Sequence, residues 1–214
     1  MSRPLVEQLP APQRLALSYA PLSARGPTLA LLALDRRLAE LLRRRGEPVL
    51  AQVRLAWWRD TLAADPHGWP EGEPLLALLR GWRDPAPLVA LVNGWEALLS
   101  ERLEPAAIAE FVSGRAAGFA QLACELGGDP GPAAAPGRLW ALGDLAAHLA
   151  DPAERAAAIE IASHFPRNVE LPRPLRPLAV LAGLARRSLA RGGTPLLDGP
   201  GAALTAIRLG ITGR

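Results

Sequence analysis

Apolar residues recur along the chain at the three- and four-residue spacing of α-helices. Leucines follow this spacing between Pro27 and Arg45, and Gly46 comes next, at a position suited to the end of a helix. The same periodicity, interrupted by Pro- and Gly-rich stretches, predicts further helices at 48–63, 73–82, 87–103, 104–126, 138–149, 152–165, 174–191 and 200–209. Residues 129–137 are predicted to be a linker. No stretch alternates like a strand, so the sequence predicts one all-α domain spanning residues 1–214.

The helix predicted at 48–63 has apolar residues on two sides. One line runs through Val49 and Trp57, and a second includes Leu55 and Trp58. A helix that is apolar around much of its surface is expected at the centre of a bundle. Both tryptophans are therefore predicted to be core residues in preference to forming a ligand wall.

The long helix predicted at 104–126 contains several small residues near its middle. Gly114, Ala117 and Gly118 have little or no side chain, so they would let another helix approach closely. We therefore expect a tight helix–helix contact there.

Composition supports helices and argues against a nucleic-acid partner. Ala, Leu and Arg dominate the chain, and all 24 basic residues are arginines. They raise the isoelectric point to about 10.2, yet the formal net charge is only +3 because 21 acidic residues are interleaved with them. Without a basic stripe, no nucleic-acid binding is predicted.

Cysteine content and hydropathy suggest a cytoplasmic protein. Cys124 is the only cysteine, so no disulfide can form within the chain. The first residues lack the apolar core of a signal peptide, and apolar runs stop short of the ~20 residues of a membrane span. Any membrane contact is therefore expected to be peripheral.

Most enzyme signatures are missing from the sequence. There is no phosphate-binding glycine-rich loop, no His-Glu-x-x-His motif and no nucleophile elbow. His67, His148 and His164 are far apart in sequence, and each is predicted to be a structural or surface residue.

The most specific run is Arg-Leu-Ala-Trp-Trp-Arg-Asp at 54–60, with Glu47-Pro48 before it. Together with Gly114–Gly118 and Val169–Leu175, it resembles the squalene/phytoene synthase family, specifically the divergent branch that includes the mitochondrial complex I assembly factor and small bacterial proteins. The resemblance covers residues 14–192 and is sharpest near 48–62. It implies a shortened terpenoid-synthase-like bundle of helices around a central cavity.

The resemblance also implies two Asp-rich motifs on facing helices, because the family's enzymes hold two prenyl diphosphates through Mg²⁺. Arg36 matches the arginine that precedes the first motif. The acidic positions then fall on Ala39, Glu40 and Arg43, of which only Glu40 is acidic.

The second motif is expected on the helix that contains Asp144. There His148 would replace its leading aspartate, and Asp151 is another nearby acid. Independently of this alignment, the only carboxylates four residues apart are Glu125 and Asp129, with two glycines between them. No helix interior presents a pair of carboxylates on one face, so we predict no metal site and no cofactor.

Without a metal, arginines and aromatic residues are the candidates for ligand binding. Arginine binds phosphate through two parallel hydrogen bonds, although it would not replace the metal's help to a leaving group. The candidates are Arg36, Arg37, Arg54, Trp57, Trp58 and Arg115. Arg115, between small residues, is predicted either to anchor a buried helix or to cover the cavity.

These observations lead to one preferred function and two alternatives. We expect a non-catalytic family member that acts as a binding or assembly module for an apolar isoprenoid ligand or a protein partner, and the resemblance implies a role linked to a respiratory complex. The first alternative is an active head-to-head prenyl-diphosphate transferase of isoprenoid or carotenoid biosynthesis. Its Mg²⁺ site would use Glu40, Asp60, Asp144 and Asp151. The second alternative is a carrier of an apolar isoprenoid or quinone.

The three hypotheses predict different interiors. The enzyme requires the four carboxylates to converge on one cavity. The carrier requires an open tunnel lined by Leu, Ala and Trp with few charges. A fully packed centre would favour assembly through the outer surface.

Overall fold

A computed structural model describes residues 3–43, 48–100, 102–166 and 170–213. Within these ranges the chain forms eleven α-helices and no strand, which confirms the predicted all-α class. The helices are α1 (Arg3–Gln8), α2 (Ala11–Ser18), α3 (Leu22–Arg43), α4 (Pro48–Ala63), α5 (Pro74–Leu79), α6 (Val89–Ala97), α7 (Pro105–Glu125), α8 (Gly131–His148), α9 (Pro152–Ser163), α10 (Arg176–Leu189) and α11 (Pro200–Thr212). Arg45, Gly46, Glu47 and Val169 lie outside the described residues.

Proline begins many of these helices. It is the first residue of α4, α5, α7, α9 and α11, where its missing N–H costs no hydrogen bond and its fixed φ suits the helix. Side chains cap two of these starts. Glu73 accepts a hydrogen bond from the Leu75 N–H, and Asp151 accepts from the N–H groups of Ala153 and Glu154.

Two prolines lie inside helices, contrary to prediction. α3 begins at Leu22 and contains Pro27, which the sequence placed at the helix start. α8 begins at Gly131 and contains Pro136, so the predicted linker at 129–137 is wrong for most of its length. Burial explains this outcome, because Pro136 and the residues around it pack into the core, and tertiary contacts override the low helix propensity of proline. The prediction for 87–103 was too long, since α6 ends at Ala97.

The core is formed mainly by α3, α7, α8 and α10. α8 packs between α7 and α10, while α3 contacts α4, α5 and α7. Buried leucines and alanines fill the contacts, and Phe111, Phe119 and Trp140 are aromatic residues with less than 2% of their surface exposed. None of the helices in the described ranges is long and apolar enough to cross a membrane.

Glycines allow the closest helix contacts. A Cβ at Gly114 of α7 would lie 2.4 Å from the carbonyl oxygen of Ala90 in α6, which confirms the tight contact predicted there. A Cβ at Gly143 of α8 would lie 2.5 Å from the Cβ of Ala185 in α10. These crossings join α6 closely to α7 and α8 closely to α10.

α4 is not the central helix that the sequence predicted. Its inner line is buried, with Trp58 only 3% exposed, but Trp57 is 42% exposed and Val49 and Val53 are also exposed. Trp58 is therefore a core residue as predicted, and Trp57 is not. Both sides of this helix are apolar, so its pattern alone did not show which side faces inward.

Candidate functional site

A cavity of about 540 Å³ lies between α3 and α8. Both helices contribute residues at four-residue intervals, which places each set on one face of its helix. The residues are Asp35, Ala39 and Arg43 of α3 and Trp140, Asp144 and His148 of α8. Other parts of the wall are formed by Trp95, Phe111, Arg115, the start of α2 and the loop at 195–197. Its volume is within the range of small-molecule sites.

Arg115 is held by two aspartates at this cavity. Its Nε and Nη2 donate to Asp35 Oδ1 and Oδ2, each at 2.8 Å, and its Nη1 donates to Asp144 Oδ2 at 2.8 Å. Trp95 Nε1 donates to Asp35 Oδ1 at 2.9 Å. Arg115 and Asp35 are buried, so the cluster joins α3, α6, α7 and α8 within the core.

Three aromatic rings surround the Arg115 guanidinium. The Cζ atom of Arg115 lies 4.0 Å from the ring centre of Trp140, 4.9 Å from that of Phe111 and 5.0 Å from that of Trp95. Such contacts attract a cation to the face of a ring. The rings and the carboxylates together fix the guanidinium, so Arg115 is the buried anchor that one of its two sequence interpretations described, and it also lines the cavity.

Burial and pairing act in opposite directions on the charges of this cluster. Burial raises the pKa of Asp35 above 3.8, because desolvation outweighs the attraction of Arg115. Desolvation alone would lower the pKa of Arg115, but Asp35 and Asp144 outweigh it and raise that pKa. Arg115 therefore stays charged, and its donors to the two aspartates are already used.

Other polar atoms of the cavity wall have no partner. Trp140 is 1% exposed and Gln13 is 6% exposed. Within the described ranges, Trp140 Nε1, Gln13 Oε1 and Arg36 Nε are buried without a hydrogen bond, and all three residues line this cavity. Buried polar groups are nearly always hydrogen-bonded in proteins, so these three residues of the wall carry unused hydrogen-bonding capacity.

The structure divides the sequence-predicted ligand residues between two cavities. Arg36 and Arg115 line the cavity between α3 and α8. A second cavity of about 420 Å³, between α3 and α4, is lined by the others, namely Arg37, Arg54, Trp57 and Trp58, together with Glu40. Adjacent residues of α3, Arg36 and Arg37, therefore face different cavities.

The four candidate carboxylates do not converge. Asp144 lines the central cavity, whereas Glu40 lines the second one and pairs with Arg36 at 2.9 Å. Asp60 is exposed on α4, and Asp151 caps α9. No group of three or more His, Cys, Asp or Glu side chains in the described part of the chain is placed to bind a metal. The residues of the central cavity therefore do not suit Mg²⁺, which requires several oxygen ligands.

Asp35, Trp95, Trp140 and Gln13 were not predicted to be site residues. Asp35 offered a usable signal, because it is an acid that directly follows the uninterrupted run of leucines and alanines at 29–34. Such a residue must be paired if the helix is buried. The two tryptophans and the glutamine gave no comparable signal, since only the folding of distant helices brings them together.

No protein-family model matches the chain, and the searches of curated proteins and of solved structures found no match.

Proposed function

We propose that this chain is a non-catalytic binding module, a shortened relative of the squalene/phytoene synthases, that holds a ligand with an apolar body between α3 and α8. The resemblance assigns the first acidic motif to α3 and the second to α8, and these two helices face each other across the cavity. That arrangement is what the family's bundle would require.

The composition of the cavity wall is the observation on which the non-catalytic proposal rests. Where the resemblance expects metal-binding carboxylates, Ala39, Arg43 and His148 line the wall. Asp35 and Asp144 are present, but Arg115 already bridges them. Transfer of a prenyl group needs charge stabilisation of the departing diphosphate, and this wall has no carboxylate set that would hold Mg²⁺ for it.

The apolar part of the wall supports ligand binding. Leu42, Leu145, Leu196 and Leu197 line the cavity with Ala39 and Ala147. The centre is thus not fully packed, and it is not the purely apolar tunnel expected of a simple carrier, because charged residues share the wall. A ligand with an apolar body and a polar group matches both features. An isoprenoid ligand and a respiratory-complex role remain predictions from the resemblance.

Two measurements on the same protein test this proposal. First, farnesyl or geranylgeranyl diphosphate is added with Mg²⁺ and NADPH, and diphosphate release is followed beside an active synthase of the family. We expect no release. Turnover that Glu40→Gln abolishes would overturn the non-catalytic proposal.

Second, binding of apolar fluorescent probes is titrated. We expect saturable binding that is lost in Ala39→Trp, because the indole would occupy the cavity. Ala63→Trp, on the exposed end of α4, is the matched control and should bind normally. Equal binding by both variants, or no binding by the unmodified protein, would contradict the proposal.

The outer face of α4 favours a second candidate function, assembly with a protein partner. Val49, Val53 and Trp57 follow one another at four-residue intervals and are all exposed. Contiguous exposed apolar residues often mark interaction sites. Sedimentation equilibrium of the protein and of a Val53→Ser/Trp57→Ser variant would show whether this face mediates self-association. A monomer in both cases would remove a second copy as the partner.

A further inference from the structure

We infer that the ligand of the cavity between α3 and α8 is a monocarboxylate with an extended apolar body, bound without a metal ion through the arginines of the α3 wall. This inference rests on the proposed binding function and specifies its ligand class. Three features of the cavity support it: unpaired buried donors, a small positive charge and an apolar remainder.

The unpaired atoms show which groups the ligand must present. Arg36 Nε–H and Trp140 Nε1–H are buried donors without acceptors in the described part of the chain. Gln13 adds an amide, which can offer either its oxygen or its N–H groups after rotation. Donors predominate, so a ligand rich in acceptor oxygens fits best.

The charges of the wall limit the ligand to about one negative charge. Arg36, Arg43 and Arg115 line the cavity with Asp35 and Asp144, which gives one net positive charge when His148 is neutral. Three of the five N–H donors of Arg115 are used by the two aspartates, which balance its charge. The other two cations of the wall are Arg43 and Arg36; the Nη2 of Arg36 pairs with Glu40, while its Nε has no partner in the described ranges.

A diphosphate does not match this wall. Its several negative charges would face the Asp144 carboxylate and only two arginines, and burying uncompensated charge is costly. A carboxylate has one charge and two oxygens, which suit the parallel donors of a guanidinium. The leucines and alanines of the wall then contact the apolar body of the ligand.

The test compares head groups on one apolar chain. Isothermal titration calorimetry measures the binding of laurate, dodecanol and dodecyl phosphate, each below its critical micelle concentration. The buffer contains EDTA to remove metal ions. We expect laurate to bind saturably and at least about tenfold more tightly than dodecanol, since charge-assisted hydrogen bonds are among the strong ones. Laurate should also bind more tightly than dodecyl phosphate.

Three arginine variants locate the head group. Arg36→Gln and Arg43→Gln should each weaken laurate about tenfold and leave dodecanol unchanged. Arg37→Gln is the matched control, because Arg37 is the neighbour of Arg36 but faces the other cavity and pairs with Glu73. It should bind laurate normally. Arg43 is exposed, so its variant keeps the test valid if Arg36→Gln fails to fold.

The outcomes separate this inference from the function on which it rests. Equal affinity for dodecanol and laurate, tighter binding of dodecyl phosphate, or an equal loss in Arg37→Gln would overturn the carboxylate inference while the binding function stands. Failure of every compound and every apolar probe to bind would overturn the binding function itself.

Discussion

Arg115 of α7 and Asp35 of α3 form a two-point ion pair between residues 80 positions apart in the chain, with both hydrogen bonds at 2.8 Å. The pair is buried, and Asp144 of α8 binds the remaining side of the guanidinium. Three helices thus meet at one charged group in the core. This arrangement forms one wall of the candidate ligand cavity and makes both the site and the fold sensitive to the same residue.

Replacement of Arg115 by Met should destabilise the protein strongly. It would leave the buried Asp35 carboxylate without a countercharge, and breaking a buried pair in this way costs about 3–5 kcal/mol. Urea unfolding followed by circular dichroism would measure the loss. Arg37→Met is the control, because the Arg37–Glu73 pair is partly exposed and should contribute about 1 kcal/mol or less. Similar costs for the two variants would contradict the structural role assigned to Arg115.

The capping of α9 by Asp151 should make stability depend on pH in the acid range. Backbone hydrogen bonds from Glu154 and Ala153 lower the pKa of Asp151 below 3.8. The stabilisation by this cap is therefore complete when the pH is above the ordinary pKa of an aspartate in the unfolded chain. It is lost as the pH falls through the lowered pKa of the folded chain. Asp151→Ala should lower Tm near neutral pH, and the difference from the unmodified protein should shrink as the pH falls below 3.8 and through the lowered pKa.

Asp60→Ala is the control for this experiment. Asp60 is an exposed acid of α4, and no hydrogen bond or ion pair of its side chain occurs within the described ranges. Its replacement should change Tm little at any pH. A constant difference between Asp151→Ala and the unmodified protein down to acid pH would show that the carboxylate does not act as the cap.

The all-α class was predictable from sequence because periodicity and composition are local properties. The helix boundaries were less predictable, because Pro27 and Pro136 lie inside helices. Both helices have many buried residues, whose packing outweighs the low helix propensity of proline. The side of α4 that faces the core could not be predicted, because the helix has apolar residues on two sides. The candidate site was predicted only in part. Arg36 and Arg115 were candidate ligand residues and Asp144 a candidate metal ligand, and all three line the cavity. The pairing of Asp35 with Arg115 depends on contacts between helices that no local pattern reveals.

The contact between α6 and α7 should not tolerate a methyl group at Gly114. Its Cβ would lie 2.4 Å from a backbone oxygen, so the two helices would have to separate. Gly114→Ala should cost about 1–3 kcal/mol of unfolding free energy, as overpacked cores do. Gly68→Ala provides the same substitution at an exposed turn, where an added Cβ would meet nothing within 4 Å. That variant should change the unfolding free energy by about 0.5 kcal/mol or less. Equal effects at the two glycines would argue against the close crossing.

Trp57 and Trp58 are neighbours that should respond differently to truncation. Trp58 is buried beneath α4, so Trp58→Ala should cost about 3–5 kcal/mol. Trp57 lies at the outer face and touches Trp58 edge to face, with ring centres 5.1 Å apart, so Trp57→Ala should cost only about 1 kcal/mol. Urea unfolding at several protein concentrations would compare them. If Trp57→Ala costs as much as Trp58→Ala, the outer face of α4 is covered in solution. A midpoint that rises with protein concentration would then identify a second copy of the chain as the cover, because association stabilises the folded state by mass action.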